Sequence, residues 1–315
     1  MSRVAAIDCG TNSIRLLIAD IDRTNGTTTL TDVVREMRVV RLGEGVDATG
    51  ELSQAALDRT FAATADYARL IAGHGPAAVR FVATSASRDA SNRDVFVAGI
   101  RDLLGVEPEV ISGDEEAALS FAGASSVLPV LDGQEVLVVD LGGGSTEFVL
   151  GTAAGVTAAK SVDIGCVRLT ERHLRADPPT AGQIAAAQAD VDNAIALAGR
   201  YVPLERATAV VGVAGSVTTI TAHALRLDEY SPDAIHGAEL PLATVRSAAG
   251  DLLQLTRAER AALPYMHPGR VDVIGAGGLV WARILERVAE LSGGRITTAT
   301  ASEHDILDGI ALSIG

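Results

Sequence analysis

Two stretches of the chain superpose without a gap. IDCGTNSIRLLI, from Ile7, lies over VDLGGGSTEFVL, from Val139, at a constant offset of 132 residues. Asp8 falls on Asp140, Gly10 on Gly142 and Ser13 on Ser145, apolar positions match on both sides, and Arg15 falls on Glu147. A lone Asp-x-Gly recurs by chance, whereas strand, acid, glycine, serine and strand in register is much rarer. The repeat therefore predicts two related domains, each presenting an equivalent turn.

The elements around the repeat alternate. VAAIDC, IRLLIAD, TTTLTDVV and EMRVVRLG read as four short strands. A helix follows, capped by Ser53 and stopped at Gly73. A strand is expected over 79–84, a helix over 88–104, a strand over 106–112 and a helix opening at GDEEAALSFAGA. After PVLDGQ the theme restarts with the strand EVLVVDL, then TEFVLG and VTAAKSVDIG. Helices are expected over 180–200, 244–255 and 271–291, with a strand-to-helix passage at ATAVVGVAG. GRITTATASE gives a last strand and DILDGIALSIG a last helix, over 303–315, expected to return to the first domain. Strands alternating with helices define an α/β chain. No low-complexity linker separates the halves, so they are expected to pack with a cleft between them.

Each turn can serve an anion. Glycine lets backbone N–H groups converge on a ligand without an intervening side chain, and successive N–H groups form an anion-binding nest. Thr11, Asn12 and Ser13 in the first turn, and Gly142, Gly143, Gly144, Ser145 and Thr146 in the second, supply these groups and side-chain donors. No GK[ST] follows and a strand comes next, so neither turn is a Walker loop. The plain alternative is a pair of hairpin turns; two matching turns, each preceded by an acid, favour a ligand. Asp140 and Glu147 are hard oxygen donors that can hold Mg²⁺, against the alternative of a strand-end Asp with a solvated Glu.

Three other stretches carry chemistry less directly. In SGDEEAAL, Glu115 and Glu116 open a helix, where acids are favoured by the dipole alone; beside two phosphate turns, one of them can activate water. Arg88 follows a strand, and its fork suits phosphate oxygens or an acid such as Asp89. VVGVAGSVTTI can form a third wall of the cleft or merely pack closely, and GAGG at 275–278 reads as tight helix packing.

Composition narrows the classes. A net charge of −14 argues against a broad nucleic-acid interface, although local donors and a bound cation decide a site. No run of about 18 apolar residues occurs, so neither a membrane span nor a signal peptide is expected. Cys9 and Cys166, with six scattered histidines, offer neither a disulfide framework nor metal-ligand spacing. A soluble cytoplasmic protein is the expectation.

IDCGTNSIRLLIAD, VATSASRDASN, VISGDEEAALSFAGA, VVDLGGGSTEFVLG, DIGCVRLTE, GVAGSVTT and DVIGAGGLVWARIL, in that order and over nearly the whole chain, resemble the exopolyphosphatase and guanosine pentaphosphate phosphohydrolase family. That family belongs to the superfamily of actin, Hsp70 and sugar kinases. The first motif alone also fits sugar kinases; GTNSIRL with SGDEEA and DLGGGSTE is far more specific.

The resemblance implies two ribonuclease H-like (actin-like ATPase) domains with an interdomain active-site cleft, over 1–124 plus 300–315 and over 125–299. Longer relatives add a C-terminal helical region, so this chain resembles the short type. Carried over, Glu116 is the catalytic base, and Asp140 and Glu147 bind Mg²⁺, with Mn²⁺ as a substitute and K⁺ as a further monovalent candidate. Asp8, Gly10, Thr11, Asn12, Ser13, Arg15, Arg88, Gly142, Gly143, Gly144 and Ser145 hold substrate. The implied reaction releases terminal phosphate from inorganic polyphosphate, with guanosine pentaphosphate as the alternative substrate and a homodimer as the assembly. No nucleic-acid or membrane partner is expected. A sugar-type kinase and a weakly active polyphosphate- or nucleotide-binding regulator are the readings from other classes. One departure is visible: relatives often carry an Arg-Glu-Gly-like turn in the last helix, where this chain has Leu307, Asp308 and Gly309.

Overall fold

The structure, a computed structural model, describes residues 2–24, 27–124 and 134–314. The junction expected at 124/125 and most of PVLDGQ adjoin or lie in the segment outside the described residues. The chain divides into two compact units, Met1–Gly123 with Ile306–Gly315, and Ala124–Asp305.

In the first unit β1 (Ser2–Cys9), β2 (Ser13–Thr24), β3 (Thr27–Val39), β4 (Ala78–Ala83) and β5 (Glu109–Val110) form one sheet in the order β3-β2-β1-β4-β5. β1 to β3 are antiparallel neighbours, and β4 and β5 run parallel to β1. One face buries Ala5, Ile7, Ile14, Leu16 and Ile18 under the helices Gln54–His74 and Arg93–Leu104. The other buries Val4, Ala6, Leu17 and Ala19 with Leu119, Leu307 and Ile310. Those last three lie on the helices Gly113–Gly123 and Ile306–Ser313. The period-2 alternation along β1 and β2 thus feeds two apolar layers.

Local expectations differ from this structure in ways that have causes. TTTLTDVV and EMRV are one strand, not two. Ile18 pairs with Val34 and Ala19 with Asp32, so Val33 is an extra residue. Such a bulge inverts the inside–outside phase and makes one strand read as two. The helix after Ser53 passes Gly73, where a side chain would meet open space, and ends at Gly75, whose left-handed backbone donates to the Ile71 carbonyl. The helix expected over 88–104 is two, Ser85–Asp89 and Arg93–Leu104. Their break is stapled by Asn92, whose amide bonds both the N–H and the C=O of Leu52. Only Glu109 and Val110 of the strand expected over 106–112 pair with β4.

The second unit holds β6 (Val136–Leu141), β7 (Thr146–Thr152), β8 (Gly155–Val162), β9 (Ala209–Val213), β10 (Glu239–Pro241) and β11 (Thr298–Ala301), in the order β10-β11-β9-β6-β7-β8. Read from β8, the series β8-β7-β6-β9-β11 repeats the order and directions of the first sheet, and β10 adds an antiparallel edge. Both units thus have the ribonuclease H-like arrangement. The helices Ala181–Ala198, Ala214–Leu225, Leu242–Gln254 and Ile274–Leu291 pack on this sheet around Trp281. Residues 300–305, expected in the first unit, belong to the second: Thr300 and Ala301 pair with β9, and Ser302 N–H donates to Gly212. No helix among the described residues is long and apolar enough to cross a membrane.

Candidate active site

The two turns are built alike. Asp8 pairs with Arg15 and Cys9 with Ile14 across β1 and β2; Asp140 pairs with Glu147 and Leu141 with Thr146 across β6 and β7. Gly10 N–H donates to Ser13 O at 2.9 Å, and Gly142 N–H to Ser145 O at 3.1 Å. The 132-residue offset therefore holds in register and in the closing hydrogen bond. A Cβ on Gly142 would lie 3.0 Å from Ser145 O, a close approach that favours glycine there.

The turns' carbonyl groups are occupied. In the first, Thr11 O accepts from Gly43 N–H at 2.9 Å, and Asn12 O from Val40 and Arg41 N–H at 3.0 and 2.9 Å. In the second, Gly142 O accepts from Cys166 N–H at 3.1 Å, and Gly143 O from Val167 and Arg168 N–H at 2.9 and 3.1 Å. Gly144 O accepts from Arg168 Nε at 2.7 Å. In a planar trans peptide the carbonyl of one residue and the N–H of the next point in opposite directions. Tying these carbonyls inward aims the N–H groups of Asn12 and Ser13, and of Gly143, Gly144 and Ser145, away from the protein segments that cap them. That is the geometry of an anion nest. Thr11 Oγ1 also shares a 2.9 Å hydrogen bond with Ser85 Oγ, which fixes its hydroxyl.

The repeat diverges at its charged pair. In the first unit Arg15 Nη2 and Nε lie 2.6 and 2.9 Å from Asp8 Oδ2. In the second, the arginine's place is taken by Glu147, so two buried carboxylates oppose each other across the strands. Like charges directly opposite are unfavourable, and a cation between them would offset the repulsion that Arg15 removes in the first unit. Ser161 Oγ donates to Glu147 Oε1 at 2.7 Å, which fixes that carboxylate. No group of three or more His, Cys, Asp or Glu suited to a metal occurs among the described residues. Two carboxylates nevertheless suit Mg²⁺, which completes its shell with water and substrate oxygens. The solvated-Glu alternative does not fit, since Glu147 is 1% exposed.

Cys9 aligns with Ala83, and Ala83 with Val110, so β1, β4 and β5 end together. From that edge leave the first turn, the helix bearing Arg88 and the helix bearing Glu116, where open α/β sheets bind ligands. Glu116 is buried, and Arg88 Nη1 donates to its Oε2 at 3.0 Å and to Ile111 O at 3.0 Å. Glu115 turns outward, half exposed, to Arg80 Nη2 at 2.7 Å. The acids of SGDEEAAL are thus in different environments, and the sequence alone does not separate them.

Elsewhere the small-residue motifs divide between packing and strain. Ala214, at the step from β9 into its helix, has φ of 71°, a left-handed backbone uncommon for a residue with a Cβ. Arg270 covers Gly215 there and donates to Thr219 Oγ1 at 3.0 Å. The GAGG helix is close packing: a Cβ on Gly277 would meet Ser216 Oγ at 2.5 Å. Cys166 and Cys9 are buried thiols whose pKa values burial pushes up, with Asp8 adding to the effect at Cys9. The short helix Cys166–Arg172 was not expected from the sequence. Its signal is Gly165, the residue that lets it touch the second turn.

The sequence profile of the Ppx/GppA phosphatase family matches residues 17–314. The chain is 51% identical to a Mycobacterium tuberculosis protein named Exopolyphosphatase 2, over all of this chain and 99% of that protein. Among solved structures, one described as an exopolyphosphatase-like protein superposes with a TM-score of 0.93 at 47% identity, covering 99% of this chain and 98% of that one. An exopolyphosphatase from Cytophaga hutchinsonii superposes with a TM-score of 0.85 at 26% identity, covering 99% and 97%.

Proposed function

The chain belongs to the Ppx/GppA phosphatase family, and we propose that it is an exopolyphosphatase that releases orthophosphate from the end of inorganic polyphosphate. The observation that carries the reading is the pair of equivalent turns whose inward carbonyl bonds leave N–H groups aimed outward. The phosphates of a polyphosphate end are anions of the kind that such a turn can hold, and the names of the relatives point to the same substrate.

In this reading the turns at 10–13 and 142–145 and the Arg88 guanidinium grip phosphate oxygens. Glu116 orients and deprotonates the attacking water. Its buried carboxylate, held by Arg88, suits that role better than the exposed Glu115. Asp8 holds Arg15 in place at the first turn. Asp140 and Glu147 would hold Mg²⁺, which would supply charge neutralisation on the transferred phosphoryl group. The leaving group is a phosphate chain, stable as an anion, so stabilising charge matters more than a strong general acid.

The test is phosphate release with Mg²⁺ from inorganic polyphosphate and, in parallel, from guanosine pentaphosphate. Faster release from polyphosphate supports the reading, and preference for the nucleotide redirects it within the family. Binding of either without release would leave a regulator, and phosphorylation of a sugar by ATP would make the chain a kinase.

A further inference from the structure

The second turn is held by one short helix and by one side chain of that helix. Cys166, Val167 and Arg168 donate backbone N–H groups to Gly142 O and Gly143 O. The next carbonyl, Gly144 O, is beyond those amides and is taken by Arg168 Nε at 2.7 Å. In the first turn the equivalent carbonyl, Asn12 O, is capped by the backbone N–H groups of Val40 and Arg41. In the second unit this cap depends on a side chain.

Close approach makes the arrangement possible. A Cβ on Gly165 would lie 2.4 Å from Gly143 O and 2.7 Å from Gly144 N, so the helix start rests directly on the turn. The peptide that Arg168 holds joins Gly144 C=O to Ser145 N–H, and it is planar. With the carbonyl tied to Arg168, the Ser145 N–H is turned away from the helix. That bond restrains a plane whose rotation Gly144, having no Cβ, leaves comparatively free. A rotated peptide would present a carbonyl oxygen to an anion in place of a donor.

We propose that Arg168 is a positioning residue for the turn at 142–145, and that it sets phosphate affinity by aiming the Ser145 N–H at substrate. This rests on the phosphate reading of the turn. Arg168 acts through the turn's peptide, so its effect is on binding more than on bond breaking.

Calorimetry with inorganic tripolyphosphate in metal-free buffer, and turnover of polyphosphate with Mg²⁺, test this together. R168A is expected to bind tripolyphosphate roughly tenfold more weakly and to raise KM by a similar factor, as for a lost hydrogen bond to an anion site. Its kcat should fall by less. Guanidinium at tens of millimolar should restore part of the loss, and tetramethylammonium at equal ionic strength should not. R168Q, which keeps an N–H donor, should exceed R168M, which keeps length without one; this pair serves if R168A does not fold. Wild-type affinity in R168A, rescue by both cations alike, or equal R168Q and R168M overturns the proposal. A wild-type protein that neither binds tripolyphosphate nor releases phosphate would instead overturn the function reading.

Discussion

Arg88 places Nη1 3.0 Å from the buried Oε2 of Glu116, while the neighbouring Glu115 faces outward to Arg80. Two adjacent acids thus differ in burial and partner. Glu116→Gln should leave folding and tripolyphosphate binding near wild type and lower kcat by roughly a hundredfold or more, as expected for a lost general base. Glu115→Gln removes only an exposed pair, whose contribution is about 0–1 kcal/mol, and should leave kcat unchanged. Steady-state phosphate release compares them. A damaged Glu115→Gln beside an active Glu116→Gln would reverse the assignment.

Asp140 and Glu147 occupy the positions that Asp8 and Arg15 hold in the first unit. Asp140→Asn should shift the Mg²⁺ dependence of turnover to higher concentration or abolish turnover. Glu147→Gln should do so less severely if its contact runs through water. An activity titration with Mg²⁺ that superposes on wild type for both variants would remove the metal assignment.

The duplicated turns were legible because their signal is local: apolar runs on either side, an acid at the strand end and small polar residues between. Their capping was not, because Val40, Arg41 and Gly43 bond Thr11 and Asn12 from beyond the end of the neighbouring strand β3, and Cys166 to Arg168 reach the second turn from about twenty residues downstream. The long β3 was hidden by the extra residue at Val33, which breaks alternation without breaking the strand. Glu116 and Glu115 could not be told apart because their difference lies in Arg88 and Arg80, side chains on other elements. The departure at Leu307 and Asp308 was legible as a change but not in its consequence. Leu307 lies in the apolar layer beside β1, and Asp308 is engaged by Arg35 of β3, so both tie the last helix to its sheet.

Gly309 provides a steric test of that tie. A Cβ there would stand 1.9 Å from the Leu119 carbonyl oxygen, on the helix that also carries Glu116. Backbone cannot give way as a flexible side chain can, so Gly309→Ala must force the two helices apart. The cost should be about 1–3 kcal/mol or more, read as a lower thermal midpoint, with kcat reduced because the Glu116 helix moves. Gly73→Ala is the control: it also lies within a helix, but its Cβ would meet open space, and it should stabilise by roughly 0.5–1 kcal/mol. Equal midpoints for the two alanine variants would refute the packing argument.

His267 makes stability depend on pH in a predictable direction. Its Nδ1 accepts the Gly269 N–H at 3.1 Å, capping the short helix Pro268–Arg270. Protonating that nitrogen removes the acceptor. Burial holds the His267 pKa below 6.5, and the nearby Arg270 charge lowers it further. The unfolded chain, titrating near its ordinary value, therefore takes up the proton first as pH falls. Stability from neutral His267 is fully present above about 6.5 and is lost as pH falls through the lower folded value. His223, whose pKa is also lowered chiefly by burial, adds to the slope with the same sign. The thermal midpoint should therefore drop between about pH 7.5 and pH 5.5. His267→Asn keeps a side chain able to cap and removes the titration. It should flatten part of that drop while matching wild type near neutral pH. A midpoint–pH curve for His267→Asn as steep as that of the wild type would show that the capping nitrogen does not titrate in this range.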